Sequence, residues 1–130
     1  MRKRLSGNPI IPGRGVCDPH IRIFHNKAYL YATHDSAQDD TRFVTKDWWV
    51  WSSPDLVDWK HENTLRPEQT YIGPGFQACY ATDAAERNGK YYWYFSEDYI
   101  HTGVVMSDTG GLHTTPFVVQ SVPYLPRNRS

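Results

Sequence analysis

Two segments of this chain carry the same signature 63 residues apart: Lys27, Tyr29 and Tyr31 follow the turn "HNK", and Lys90, Tyr92 and Tyr94 follow Asn88-Gly89. Alternation with a period of two is the mark of a half-buried strand, and Asn-Gly between two such runs is among the strongest short signals for a hairpin. A second echo lies further along, where "VWSSPD" from Val50 is answered by "VMSDTG" from Val105. Tyrosine alternation after a turn also arises by chance in β proteins. Recurrence of several pieces in one order instead suggests a repeat architecture, of which propeller blades, at roughly 40–50 residues each, have the nearest period.

Each copy reads as an antiparallel meander. "HIRIF" and "AYLYA" form a hairpin from His20 to about Thr33, "WWVWSS" is a third strand, and "SPDLVDWKH" turns the chain into a short fourth strand around Trp59. "RPEQTYIGPGFQ" is a loop punctuated by glycine and proline; "AAERNGKYYWYFS" is the second hairpin and "TGVVMSD" the strand after it. Beyond Gly111 the sequence keeps β-like pieces but loses the pattern, and "PRNRS" reads as a frayed end. No stretch has helical periodicity with caps at both ends. The expected fold class is therefore all-β, with antiparallel four-stranded blades of a β-propeller: a first blade over 8–65, a second over 66–115 and a tail over 116–130.

Lysine plus arginine equals aspartate plus glutamate at 14 each, so no net field exists to hold a nucleic-acid backbone or an anionic membrane, and neither partner is expected. No stretch is long and apolar enough to cross a bilayer as a helix. "MRKRLSGNPIIPG" has a basic start without the apolar run of about 7–15 residues that a secretory signal needs, which points to a cytoplasmic location. In that setting Cys17 and Cys79 are expected as reduced thiols, and two distant cysteines with scattered histidines offer no zinc site. No cofactor is expected.

The order of pieces goes further than the fold. Asp-Pro at the head of a hairpin, then "YLYATHDS", then "WVWSSPDLVDW", then a tetrapeptide ending in aspartate ahead of "NGKYYWYFS", resembles the opening of glycoside hydrolase family 43 over about Asn8 to Asp108. The resemblance implies about two blades of an incomplete five-bladed propeller. It also implies an enzyme that removes arabinose or xylose units from plant polysaccharides or oligosaccharides by an inverting mechanism. The aspartate of the family's alanine-aspartate-proline motif, its general base, corresponds to Asp18 in "CDP", with Cys17 in place of alanine. The aspartate closing the tryptophan-alanine-proline-aspartate motif, which tunes and orients the acid, corresponds to Asp83 in "YATD"; Tyr80 stands for the tryptophan and Thr82 for the proline. Inversion uses two carboxyl groups about 6.5–9.5 Å apart, one to deprotonate a water and one to protonate the leaving oxygen. Inner strands of successive blades face one axis, so aspartates at their heads converge.

Each candidate also has a structural reading. Asp18 before Pro19 can be a turn initiator that caps nearby amides, and Asp83 a turn aspartate. His34 and Asp35 end a strand near the expected pocket mouth as candidate substrate contacts, with a loop histidine satisfied by a neighbour as the alternative. Phe76, Gln77 and Tyr80 are candidates for a subsite wall, while Trp48, Trp49 and Trp51 are expected mainly as blade-packing residues.

The family's general acid, a glutamate in a Glu-Gly-Pro motif of the third blade, has no counterpart: that tripeptide is absent, and Glu86 and Glu97 lie on or beside the second hairpin. Alone, the chain is expected to be weak or inactive. Some family members hold an axial calcium, but nothing in the sequence identifies ligands for one. Two other classes stand beside the hydrolase: a carbohydrate-binding pseudoenzyme, and a structural β-domain that self-associates through exposed sheet edges.

Overall fold

The computed structural model describes residues 10–11, 15–37, 43–70, 79–97, 101–113 and 117–123, with 97, 101 and 117–123 as backbone only. Strands β1 (Val16–Phe24), β2 (Lys27–His34), β3 (Asp47–Ser53) and β4 (Lys60–Leu65) pair in that order as one antiparallel sheet. Strands β5 (Cys79–Arg87), β6 (Lys90–Glu97), β7 (His101–Ser107) and β8 (Phe117–Pro123) make a second sheet of the same topology. The only helical element among the described residues is a 3-10 turn at Pro67–Gln69.

Both first hairpins close through two residues in the left-handed region, His25 and Asn26 (φ 52° and 61°) and Asn88 and Gly89 (φ 54° and 77°). That is the turn whose twist matches right-handed strands. Strands β1 and β2 recur as β5 and β6 at the 63-residue offset. The later echo needs a correction of one residue: Val50 pairs with Tyr31 and its counterpart Val104 pairs with Tyr94, so Val105 is not the equivalent of Val50. Register follows strand pairing, and the connections ahead of β3 and β7 differ in length. The second blade also extends past the expected boundary at 115, because β8 pairs with β7 and covers an edge that would otherwise be left open.

The core lies between the sheets. Tyr31, Trp48, Val50 and Leu65 of the first face Ala84, Tyr91, Trp93, Phe95 and Val105 of the second. Trp48 meets Trp93 edge-on at 5.1 Å and Phe95 at 5.0 Å, and its Nε1 donates to the Tyr80 carbonyl at 2.8 Å. Rings of this size supply most of the apolar area that a domain this small can bury. Gly103 lies directly across from Phe95, and a Cβ there would sit 2.2 Å from its Cζ. Strand β5 packs against β1 and β2, with a smaller contact to β3. The sheets therefore meet along their first strands, as blades do around an axis. The opposite face of the first sheet carries Ile11, Leu30 and Ala32 with Val16, Trp51 and Trp59, and leaves Ile21 and Ile23 exposed.

Candidate active site

Both inner strands are bulged near their heads. On β1, Cys17 pairs with Thr33 and His20 with Tyr31, so Asp18 and Pro19 together oppose Ala32. On β5 the register shifts between Tyr80 and Thr82, leaving Ala81 as the extra residue. Asp18 holds a φ of 48°, a conformation that L-residues adopt at a cost of about 1–2 kcal/mol. Just ahead of it, Gly15 accepts the Asp35 amide at 2.9 Å in an approach so close that a Cβ on Gly15 would lie 2.1 Å from the Asp35 carbonyl oxygen. Asp18 is exposed and has no hydrogen-bond partner among the described residues. It does not cap neighbouring amides, as a plain turn aspartate would. Bulges recur beside active sites because they re-aim one side chain without breaking the sheet.

Asp83 pairs across with Tyr94 on β6 and reaches the other sheet. Arg22 of β1 donates to it twice, Nε to Oδ1 at 2.8 Å and Nη2 to Oδ2 at 2.5 Å, and the Ala84 amide donates at 2.8 Å. The hydrogen bonds from Arg22 hold the carboxyl below the usual carboxylate range; partial burial opposes them, and the Ala84 amide and the field of His20 assist. Beside Asp83 lies an open cleft of about 190 Å³, lined by His20, Ala81, Thr82, Asp83, Tyr94, Phe95, Ser96 and Thr102. Thr82 is buried and its hydroxyl has no partner among the described residues. Asp18 precedes His20 by two residues and is not among the lining side chains.

The two aspartates stand on equivalent strands but not at equivalent positions. At the 63-residue offset Asp18 corresponds to Ala81, and Asp83 to His20.

A family model described as "Glycosyl hydrolases family 43" matches residues 6–122. The chain belongs to glycosyl hydrolase family 43. Xylosidase/arabinosidase of Bacteroides ovatus is 31% identical over 113 residues, which cover 76% of this chain and 34% of that protein. Xylosidase/arabinosidase 43A of Humicola insolens is 30% identical over 114 residues, covering 77% and 34%. This family 43 chain thus spans about a third of the length of the curated relatives it matches. The crystal structure of a GH43 β-xylosidase/α-arabinofuranosidase from a compost microbial metagenome, in complex with xylotriose, superposes with a TM-score of 0.71 at 23% identity, covering 92% of this chain and 38% of that one. That likeness carries the fold: two four-stranded blades of a β-propeller.

Within this family 43 domain the remaining candidates separate from the cleft. His34 Nδ1 lies 2.6 Å from Asp47 Oδ1, and its ring stacks on Trp49 at 3.6 Å. Asp35 Oδ1 accepts the amides of Ala37 and Val44 at 3.0 and 2.9 Å, closing its own loop. Neither lines the cleft beside Asp83. Tyr80 contributes its carbonyl to Trp48 from the bulge of β5. Phe76 and Gln77 lie outside the described residues. Glu86 accepts the Gly89 amide at the hairpin turn. Trp48 is core, whereas Trp49 and Trp51 pack with His61. Cys17 and Cys79 are free thiols, and among the described residues no group of three metal-ligating side chains comes together.

Sequence reasoning missed Arg22 and His20. Their signal was parity: both alternate with Ile21 and Ile23 on a strand expected to line an interior, and a charge on such a face needs a partner.

Proposed function

We propose that this chain supplies two of the three carboxyl groups of an inverting glycoside hydrolase acting on xylose- or arabinose-containing glycans. Asp18 is the general base and Asp83 the carboxylate that tunes and orients the proton donor. The observation that carries this is Asp18: an exposed carboxylate without a partner among the described residues, carried on a strained bulge of the strand that packs against the one bearing Asp83. A hydrated, unpaired carboxylate can take a proton from water. Asp83, clamped by a guanidinium and held ionised, cannot act as the donor at neutral pH.

The substrate class rests on the relatives, named for xylosidase and arabinosidase activity. No Glu-Gly-Pro tripeptide occurs in the sequence, so these 130 residues offer no counterpart of the family's proton donor. Loss of such a group commonly costs about 10²–10⁴-fold in rate, and this chain alone is accordingly weak or inactive.

The test is release of nitrophenol from aryl β-xylosides and aryl α-arabinofuranosides by a completed version of this chain, its remaining blades taken from the Bacteroides ovatus relative, as wild type and as Asp18→Asn. A fall of about 10²-fold or more with an unchanged melting curve supports the assignment. Equal turnover by the two proteins removes Asp18 from the mechanism. Binding of xylotriose with no turnover by either protein favours the carbohydrate-binding reading.

A further inference from the structure

Arg22 reaches out of one sheet to grip the acid of the other. It stands on β1 across from Tyr29, on the same face as His20, while Ile21 and Ile23 turn the other way. Its two donors meet the two oxygens of Asp83 in the side-on fork that a guanidinium forms with a carboxylate and that an ammonium cannot reproduce. The groups facing Asp83 are Arg22 and His20 from β1, Tyr31 from β2 and Tyr94 from β6. Burial pushes the Tyr31 hydroxyl upward, so it brings no charge at neutral pH. Among the described residues, cationic character around Asp83 therefore comes from β1 alone.

We propose that Arg22 is a positioning residue that fixes the Asp83 carboxylate in one orientation and offsets its charge, so that Asp83 acts on a neighbouring proton donor as half of an ion pair. This rests on the reading of Asp83 as the tuning carboxylate. A bare anion close to a second carboxyl raises that group's pKa, because both cannot ionise cheaply at short range. Half of an ion pair raises it less. Arg22 thereby sets how high the donor titrates, which is where the alkaline limb of the pH–rate profile falls. The depressed titration of Asp83 agrees with the geometry.

The experiment compares wild type, Arg22→Gln and Arg22→Lys by two readouts. Carboxyl-carbon NMR of the 130-residue chain follows the titration of Asp83. The wild-type group is expected below the usual carboxylate range, that of Arg22→Gln back within it, and that of Arg22→Lys between them. An Asp83 that titrates alike in wild type and Arg22→Gln overturns the proposal. In the completed version, the alkaline limb of the pH–rate profile is expected to move up in Arg22→Gln and part of the way back in Arg22→Lys. A loss of rate with both limbs unmoved also overturns it. Should Arg22→Gln lose the near-ultraviolet dichroism of the Trp48–Trp93 pair, Arg22→Lys decides by the same criteria. Full turnover by Asp18→Asn would separately remove Asp18 from the mechanism, leaving the Asp83 titration to stand or fall by itself.

Discussion

His113 Nε2 lies 2.6 Å from Glu62 Oε2, which pins the turn after β7 of the second sheet to β4 of the first. The Glu62 side chain is only 5% exposed, and it also accepts from Ser52 Oγ at 2.5 Å and Lys27 Nζ at 3.2 Å. Beside it, Asn63 Nδ2 donates to the Leu112 carbonyl at 2.7 Å. The inter-blade seam is thus polar and hydrogen-bonded around Glu62 and Asn63 and aromatic around Trp48 and Trp93.

Glu62 should make the fold acid-sensitive. Burial pushes its pKa up, but the hydrogen bonds from Ser52, His113 and Lys27 outweigh that and bring it from 4.5 to about 2. A folded-state pKa below the unfolded one gives stability that is present above about pH 4.5 and lost as the pH falls through about 2, on the order of 3 kcal/mol at most. Glu62→Gln should therefore be less stable than wild type in urea at pH 7, with most of the gap gone by about pH 2.5. A gap that stays constant with pH would show that Glu62 does not titrate in this window.

At Asp18 the bulge predicts an order of stabilities. Glycine enters the left-handed region freely, whereas alanine does not, so Asp18→Gly should melt above Asp18→Ala by the equivalent of about 1 kcal/mol. Both should lose hydrolysis in the version completed with the remaining blades. A higher melting point for the alanine variant would contradict the backbone geometry at this residue.

Gly103→Ala forces a methyl group against the Phe95 ring, directly across the β6–β7 pair. Overpacking of this kind costs about 1–3 kcal/mol. Combining it with Phe95→Leu should recover part of the loss, since the two residues touch. Simple additivity in a double-mutant cycle would place the strain elsewhere.

Tyr31 is fully buried, and its hydroxyl donates to the Gly110 carbonyl at 2.6 Å. Tyr31→Phe leaves that buried carbonyl unpaired and should cost about 1–2 kcal/mol in urea denaturation. Indifference to the change would mean that water has replaced the hydroxyl.

Much of the frame was legible because it depends on local rules. Period-two alternation around His25-Asn26 and Asn88-Gly89 fixed both hairpins, and the order of motifs gave the family. β8 was missed as part of the second sheet because its recognition depends on a free edge of β7, which no local pattern announces. The site was legible in its aspartates and not in what holds them. Arg22 and Asp83 lie 61 residues apart, and their meeting depends on how the two sheets pack. His34 fits a strand-end position near a mouth, yet register puts it across from Asp47, which takes up its ring nitrogen.

The bulges of β1 and β5 fall at matching places in the two sheets, yet the acid sits on the extra residue in one and two residues later in the other. If the sheets descend from one ancestral copy, duplication passed on the scaffold with its kink, and the two acidic positions were acquired separately afterwards. A reconstruction of that ancestor should then carry at most one of them.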